Sequence, residues 1–457
     1  MSTQTQTQTQ TVRRSGDPQT GRARTAHGRS WVSVAAVLFA VAWAGNEFTP
    51  LLVMYQMHSG FTALQVNILF GGYVLGIIPA LLIGGPMADR IGRRPVMIPG
   101  PLLAMAGSLV LALGPESMVA LFVGRLLCGL ALGLAMAVGS TWIKELSTAP
   151  FDANADAGAG ARRASITLSV GFGAGAAVAG AIAQWGPAAT MLPYLVNVGL
   201  LIPVTVWMMC KGPETQVHAV LSTSRRRSRS RFALIAEDGI DPAVRRRFLL
   251  IVAPAAPWVF GCAASAYAIL PTQMRSQAPG LEIGFSALMC LVGLTCGVGV
   301  QPVIKRLERP GSARTLVLGL VVACAGMLLA ASALATQQLW LGLTAAAVLG
   351  IGYGTVLVSG LQYVQRIAPP GRLAAFTAVF YSLTYTGFFM PAILSGVELA
   401  FSGVHHIWMF AVGAALALVS LAVVAASSAA LRERPSADAM VELTREGGCT
   451  RGANVPA

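Results

Sequence analysis

The strongest constraint on this chain is the spacing of its charges: twelve runs of about twenty residues, carrying at most one charge each, follow one another from Trp31 to Leu431. A helix rises about 1.5 Å per residue, so each run is long enough to cross a hydrocarbon core of about 30 Å. Only 11% of the 457 residues are charged and 55% are apolar, whereas a soluble domain carries about 25% charged residues. No soluble fold of this size hides that much apolar surface, so the bilayer is the solvent. The expected fold class is all-α and polytopic, with twelve transmembrane helices in two pseudo-symmetric six-helix bundles.

The expected spans are 31–55, 66–88, 95–113, 118–142, 164–185 and 190–210 in the first half. In the second they are 248–270, 283–304, 315–335, 339–364, 373–397 and 408–431. The domains follow: a basic, repetitive tail (1–30, with STQTQTQTQT), an N-terminal bundle (31–210), a basic linker (211–247, with STSRRRSRSR), a C-terminal bundle (248–431) and a second tail (432–457). Both tails read as disordered, because they are polar and lack an apolar run.

The net charge of +14 raises nucleic acid as a partner, and the placement of the charges excludes it. With the N-terminus cytoplasmic, every Lys and Arg falls in a tail, the linker or an inner loop except Arg125, inside the fourth run, and Arg275, in an outer loop. That is the positive-inside pattern, and it puts both termini in the cytoplasm of a multi-pass protein of the cell membrane. The seven cysteines show no CxxC spacing or ligand cluster, and most read as small buried hydrophobes. Without a Walker loop, a glycine-rich dinucleotide turn or an HExxH helix, no enzyme, metal or cofactor is expected.

The halves resemble each other. Residues 55–66, YQMHSGFTALQV, lie over TQMRSQAPGLEI at 272–283; DRIGR at 89–93 lies over KRLER at 305–309; GLAMAVGSTWIKE from Gly133 lies over GTVLVSGLQYVQR from Gly354. Three matches in chain order indicate duplication, a common origin of secondary transporters.

Between the second and third runs lies GGPMADRIGRR, 84–94. Gly85 is expected to allow close helix contact and Gly92 a tight turn, while Asp89 can pair with the cations around it. Gly85, Asp89, Arg90, Gly92, Arg93 and Arg94 match the loop signature of the major facilitator superfamily, which the chain resembles from about Trp31 to Leu431. The resemblance implies transport by alternating access, with this loop locking the halves together on the cytoplasmic side in the outward-facing state.

Further elements extend the resemblance. RLLCGLALG, 125–133, places Arg125 at membrane depth, where it requires a partner or a wet cavity, and Gly129 and Gly133 form a small-xxx-small packing face. In proton-linked members of the superfamily the matching arginine is tied to coupling. SVGFGAGAAVAGAIAQWG, 169–186, is similar to the exporter motif at Gly171, Gly175 and Gly180, with Ala176 and Ala179 departing from it. Sorting the 18 acidic residues leaves only Glu47, in GNEFTP, at membrane depth. A lone carboxyl there can alternate between neutral and ionised forms, so Glu47 is the candidate proton site and Arg125 its modulator; a permanent structural ion pair of the two is the competing reading.

Asn46, Tyr73, Asn197, Tyr267, Tyr353, Gln362, Tyr381 and Tyr385 form a pool of substrate-path candidates. The function expected is proton-coupled export of a small amphiphilic compound by a monomer whose partners are the substrate, protons and the lipid bilayer. Uptake by symport or facilitation, and a non-transporting sensor on the same fold, stay open.

Overall fold

The computed structural model describes residues 29–156, 158–215, 241–309, 312–369, 372–401 and 406–430. It holds 12 helices long and apolar enough to cross a membrane, and no strand among the described residues. The first bundle comprises α1 (Ser30–His58), α2 (Ala63–Ile91), α3 (Arg93–Leu113), α4 (Met118–Leu146), α5 (Ala159–Trp185) and α6 (Leu192–Lys211). The second comprises α7 (Pro242–Gln277), α8 (Glu282–Leu307), α9 (Arg314–Thr336), α10 (Leu339–Ile367), α11 (Ala375–Ala400) and α12 (Ile407–Ala430).

The helices overrun the expected spans, mostly at the end of the molecule that carries Asp89–Arg94, called here the basic end. The largest correction is α7, which begins at Pro242, inside the segment expected to be linker. There Asp241 caps the helix, its carboxylate accepting from the Ala243 N–H at 2.8 Å, and Pro242 occupies the first turn. Arg245–Arg247 break an apolar window but suit a helix, which is why hydropathy misplaces this boundary. The tails 1–28 and 431–457, and linker residues 216–240, lie outside the described residues.

Close packing follows the glycines, and it repeats between the halves. A Cβ on Gly129 would meet the Tyr73 carbonyl oxygen at 1.9 Å, and one on Gly76 the Leu126 carbonyl oxygen at 2.3 Å, so α2 and α4 touch backbone to backbone. In the second half, Gly354 stands in the same relation to the Gly297 carbonyl at 1.9 Å, and Gly350 to that of Gly293 at 2.2 Å, joining α8 and α10. Helices in lipid gain little from burying apolar surface against each other, so such close approach supplies the association.

Among the described residues, the polar bonds that join the halves lie at mid-depth or at the end opposite the basic one. Asn67 Nδ2 donates to Ser395 Oγ at 2.8 Å, Arg275 Nη1 to Gln56 Oε1 at 3.0 Å, and Gln184 Nε2 to the Gly280 carbonyl at 2.9 Å. Gly180 of α5 faces α8, where an added Cβ would be 2.4 Å from Ala287 Cβ. At the basic end, every ion pair among the described residues stays within one half: Arg93 with Asp89 and Glu145, Arg162 with Asp156, Arg163 with Asp152, and Arg366 with Glu308. The molecule is therefore closed at the end opposite the basic one.

Candidate functional site

Two features meet in the middle of the first bundle: a buried acid and a buried base. Pro50 has no N–H to offer the Asn46 carbonyl, and the helical pattern of α1 is interrupted at Glu47. Gly107 and Gly124 bring α3 against α4, a Cβ on Gly107 meeting the Gly124 carbonyl oxygen at 2.9 Å. These contacts set Glu47 of α1, Ser108 of α3, Arg125 of α4 and Asn197 of α6 around one point, all of them buried.

Arg125 is held without a carboxylate. Its guanidinium carbon lies 4.6 Å from the Phe48 ring centroid and 4.2 Å from that of Tyr73, and Nε donates to the Leu69 carbonyl at 3.3 Å. Both Nη atoms are buried without a hydrogen-bond partner. Cation–π contact with two rings, desolvated, is worth about 2 kcal/mol or more and offsets part of the cost of burying the charge. Glu47 and Arg125 form no ion pair in this conformation. Instead Glu47 Oε1 lies 3.2 Å from Ser108 Oγ, and Oε2 has no partner. The Tyr55 and Tyr194 hydroxyls bond to each other at 2.9 Å on the same side of the bundle.

From Arg125 a chain of aromatic rings crosses into the second bundle. The Tyr73 ring meets Phe388 edge-on at 5.6 Å; Phe388 stacks on Phe260 at 4.5 Å; Phe260 stacks on Tyr385 at 4.6 Å and lies 6.0 Å from Tyr353. Gly387 permits this, since a Cβ there would strike the Gly261 nitrogen of α7 at 2.3 Å. The Tyr385 hydroxyl donates to Met136 Sδ at 3.0 Å, across the halves and into a π-helical turn of α4, Ala135–Gly139. Tyr267 lies in a second such turn, Ser265–Ile269 of α7. Single π turns recur at functional positions, because they break the side-chain register of a helix.

Of the substrate-path candidates, Tyr73, Tyr353 and Tyr385 thus belong to one aromatic chain. Tyr267 packs beside it at Gly293, whose added Cβ would be 3.5 Å from the Tyr267 ring. Tyr381 contacts Phe380 at 5.7 Å instead. Gln362 Oε1 is buried without a partner. Asn46 donates to the Phe172 carbonyl at 3.1 Å and to Cys290 Sγ at 3.5 Å, and Asn197 to the Ala40 carbonyl at 3.0 Å. Asn197 is fully buried between helices of the first bundle, and its amide is spent there. Sequence reasoning missed Ser108, Phe260 and Phe388, which read as ordinary small or apolar span residues.

The loop at 84–94 is arranged around Arg93, 5% exposed, which bonds Asp89 at 2.8 Å and Glu145 at 2.9 Å. Glu214, from the segment after α6, accepts from the backbone N–H groups of Arg93 at 2.9 Å and Arg94 at 2.8 Å. Arg94 Nη2 donates to the Met209 carbonyl, and the side chain of Arg90 is exposed. Gly92 has φ +105°, the left-handed region that favours glycine. Gly85 departs from expectation: nothing lies within 4 Å of where its Cβ would be, so it makes no close helix contact in this conformation. Gly133 lies against Ile77 and Ala80 of α2, and Gly171 and Gly175 against the Phe39 and Trp43 carbonyls of α1.

Comparison with known proteins follows this geometry. Three curated relatives align over short stretches: facilitated glucose transporter member 10 of the mouse (34% identical over 95 residues, 21% of this chain and 18% of the relative), multidrug resistance protein MdtL of Shigella flexneri (38% over 81 residues, 18% and 20%) and D-xylose-proton symporter-like 2 of Arabidopsis thaliana (34% over 89 residues, 20% and 18%). Each alignment therefore spans about a fifth of the relative. Solved structures share the fold over nearly all their length: the POT family transporter PepTSo (TM-score 0.69, 13% identical, 89% of this chain and 99% of that one) and the nucleoside transporter NupG D323A mutant (TM-score 0.65, 14%, 87% and 99%). The Major Facilitator Superfamily profile matches residues 32–392, and with twelve spans in two packed bundles behind that match, the chain belongs to this superfamily of membrane transporters.

Proposed function

We propose that the protein is a proton-coupled secondary exporter of small amphiphilic compounds, acting as a monomer in the cell membrane with its basic end and both termini in the cytoplasm. The observation that carries this reading is the Glu47 carboxyl, which is fully buried at membrane depth, has one oxygen unpartnered, and lies near Arg125 without pairing to it. Such a group can bind a proton on one side and lose it on the other as the halves rock. The aromatic chain from Tyr73 to Tyr353 supports a flat, partly apolar substrate. The charges of the basic end support the orientation, and the MdtL relative supports export.

A second reading is uptake by proton symport or facilitation, which the glucose and xylose relatives favour. Everted and right-side-out vesicles with an imposed proton gradient separate the two, using ethidium as the amphiphilic probe. Export predicts accumulation in everted vesicles driven by an acidic lumen, and loss of that proton dependence in Glu47→Gln. Full proton dependence in Glu47→Gln overturns coupling at this residue, and accumulation confined to right-side-out vesicles overturns export. Ethidium binding without translocation in either would point to a sensor.

A further inference from the structure

Ser108 Oγ sits between two oxygens, 3.2 Å from Glu47 Oε1 and 3.1 Å from Asn197 Oδ1. A hydroxyl carries one hydrogen and cannot donate to both. The orientation of Asn197 is set independently: the atom facing the Ala40 carbonyl, at 3.0 Å, must be the nitrogen, because a carbonyl only accepts. Asn197 therefore presents its oxygen to Ser108, and giving it the Ser108 hydrogen pairs both ends of that amide. What then remains on Ser108 toward Glu47 is a lone pair, which a protonated Glu47 answers and a carboxylate does not.

We propose that Ser108 and Asn197 form a hydrogen-bond chain of fixed polarity, anchored on the Ala40 carbonyl, that holds Glu47 as the neutral acid while the end opposite the basic one is closed. In this chain Glu47 Oε1–H donates to Ser108 Oγ, Ser108 donates to Asn197 Oδ1, and Asn197 Nδ2 donates to the Ala40 carbonyl. This rests on the proton-site reading of Glu47 and adds the two positioning residues that set its protonation state. The surroundings agree. Trp43 and Tyr55 from α1, Cys128 and Arg125 from α4, and Tyr194 from α6 are the other groups facing Glu47. Trp43 Nε1 is the donor that faces the carboxyl, but it stays short of hydrogen-bond geometry, since it and Oε2 are both left unpartnered, and an ionised carboxylate buried with a free oxygen, beside an arginine it does not touch, is expensive.

The same geometry defines the other state. When the Oε1 proton leaves to water, the carboxylate and Asn197 compete for the single Ser108 hydrogen, and one oxygen pair is left facing lone pair to lone pair. The two free Nη atoms of Arg125 then become the better partner. Loss of the proton thus moves Glu47 from the α3–α6 side to α4, and the aromatic chain that begins on the Tyr73 ring over Arg125 feels that movement in the second bundle.

The test is infrared difference spectroscopy of the purified full-length protein without substrate, in H2O and D2O at neutral pH. The expected result is a protonated-carboxyl C=O band, sensitive to D2O and missing in Glu47→Gln. In Ser108→Ala the band rises in frequency or is replaced by carboxylate absorption, and in Ser108→Thr, which keeps the hydroxyl, it stays in place. Absence of any carboxylic C=O band that Glu47→Gln removes overturns the neutral acid, and a band unmoved in Ser108→Ala overturns the chain. Vesicle transport of ethidium keeps the two proposals apart. Coupling lost in Glu47→Gln with a band indifferent to Ser108 leaves the function and removes the chain; a Ser108-sensitive band with coupling intact in Glu47→Gln does the reverse.

Discussion

Gly129→Ala is the sharpest test of how the bundle is held together. Its Cβ would stand 1.9 Å from the Tyr73 carbonyl oxygen and 3.3 Å from Gly76 Cα, where ordinary contact begins at 3.4 Å. The obstacle is backbone, so no rotamer change relieves it; α2 must retreat from α4 by roughly 1.5 Å, the difference between 1.9 and 3.4 Å. That retreat carries the Tyr73 ring away from Arg125, to which it lies at 4.2 Å. Overpacking of about 1–3 kcal/mol, together with a weakened cation–π interaction, gives a destabilisation of about 3 kcal/mol and, for a chain of this length, a fall in Tm of about 3–4 °C. A thiol-reactive fluorogenic dye can follow this on heating, because Cys128, Cys262 and Cys290 are buried and react only on unfolding. Gly85→Ala, with open space around its Cβ, is the matched control and is expected within about 0.5 kcal/mol of the wild type. Equal melting of Gly129→Ala and the wild type, or an equal fall in Gly85→Ala, would refute the backbone-contact argument.

Gly354→Ala, 1.9 Å from the Gly297 carbonyl oxygen, should lose stability to the same extent in the same assay if the two halves are built alike. Glu145→Ala removes a partner of Arg93 and should destabilise the protein by about 2 kcal/mol, with Glu145→Gln intermediate; equal melting of all three contradicts a structural role for the pair. Gly180→Leu would drive into Ala287 across the halves, where even a Cβ lies at 2.4 Å. It should open the end opposite the basic one, raising the labelling rate of Ser395→Cys by an impermeant maleimide at least several-fold. An unchanged rate would mean that the α5–α8 contact does not hold that end shut.

Much of the fold was legible because it depends on quantities that run along the chain. Apolar run length and the side on which each charge falls need no partner to be counted. Boundaries failed where charge and helix formation diverge, as at Arg245–Arg247 in the first turns of α7. The site was legible in outline for a similar reason: Glu47 and Arg125 stand out because a charge at membrane depth is costly wherever it faces. Gly85 shows the opposite case, since a signature residue expected at a helix contact faces open space in the conformation described.

The sequence by itself determined the solvent, the number of spans, the duplicated halves and the one carboxyl at membrane depth. Tertiary structure alone decided that Glu47 stands apart from Arg125, that the molecule is closed opposite its basic end, and that Ser108, itself beside Asn197, lies against Glu47 Oε1. The reason is that lipid and helix interior are both apolar, so hydropathy does not say which way a small polar residue of a span faces. Ser108 of α3 acquires meaning only where glycine-guided helix contacts bring it between Glu47 and Asn197 of α6.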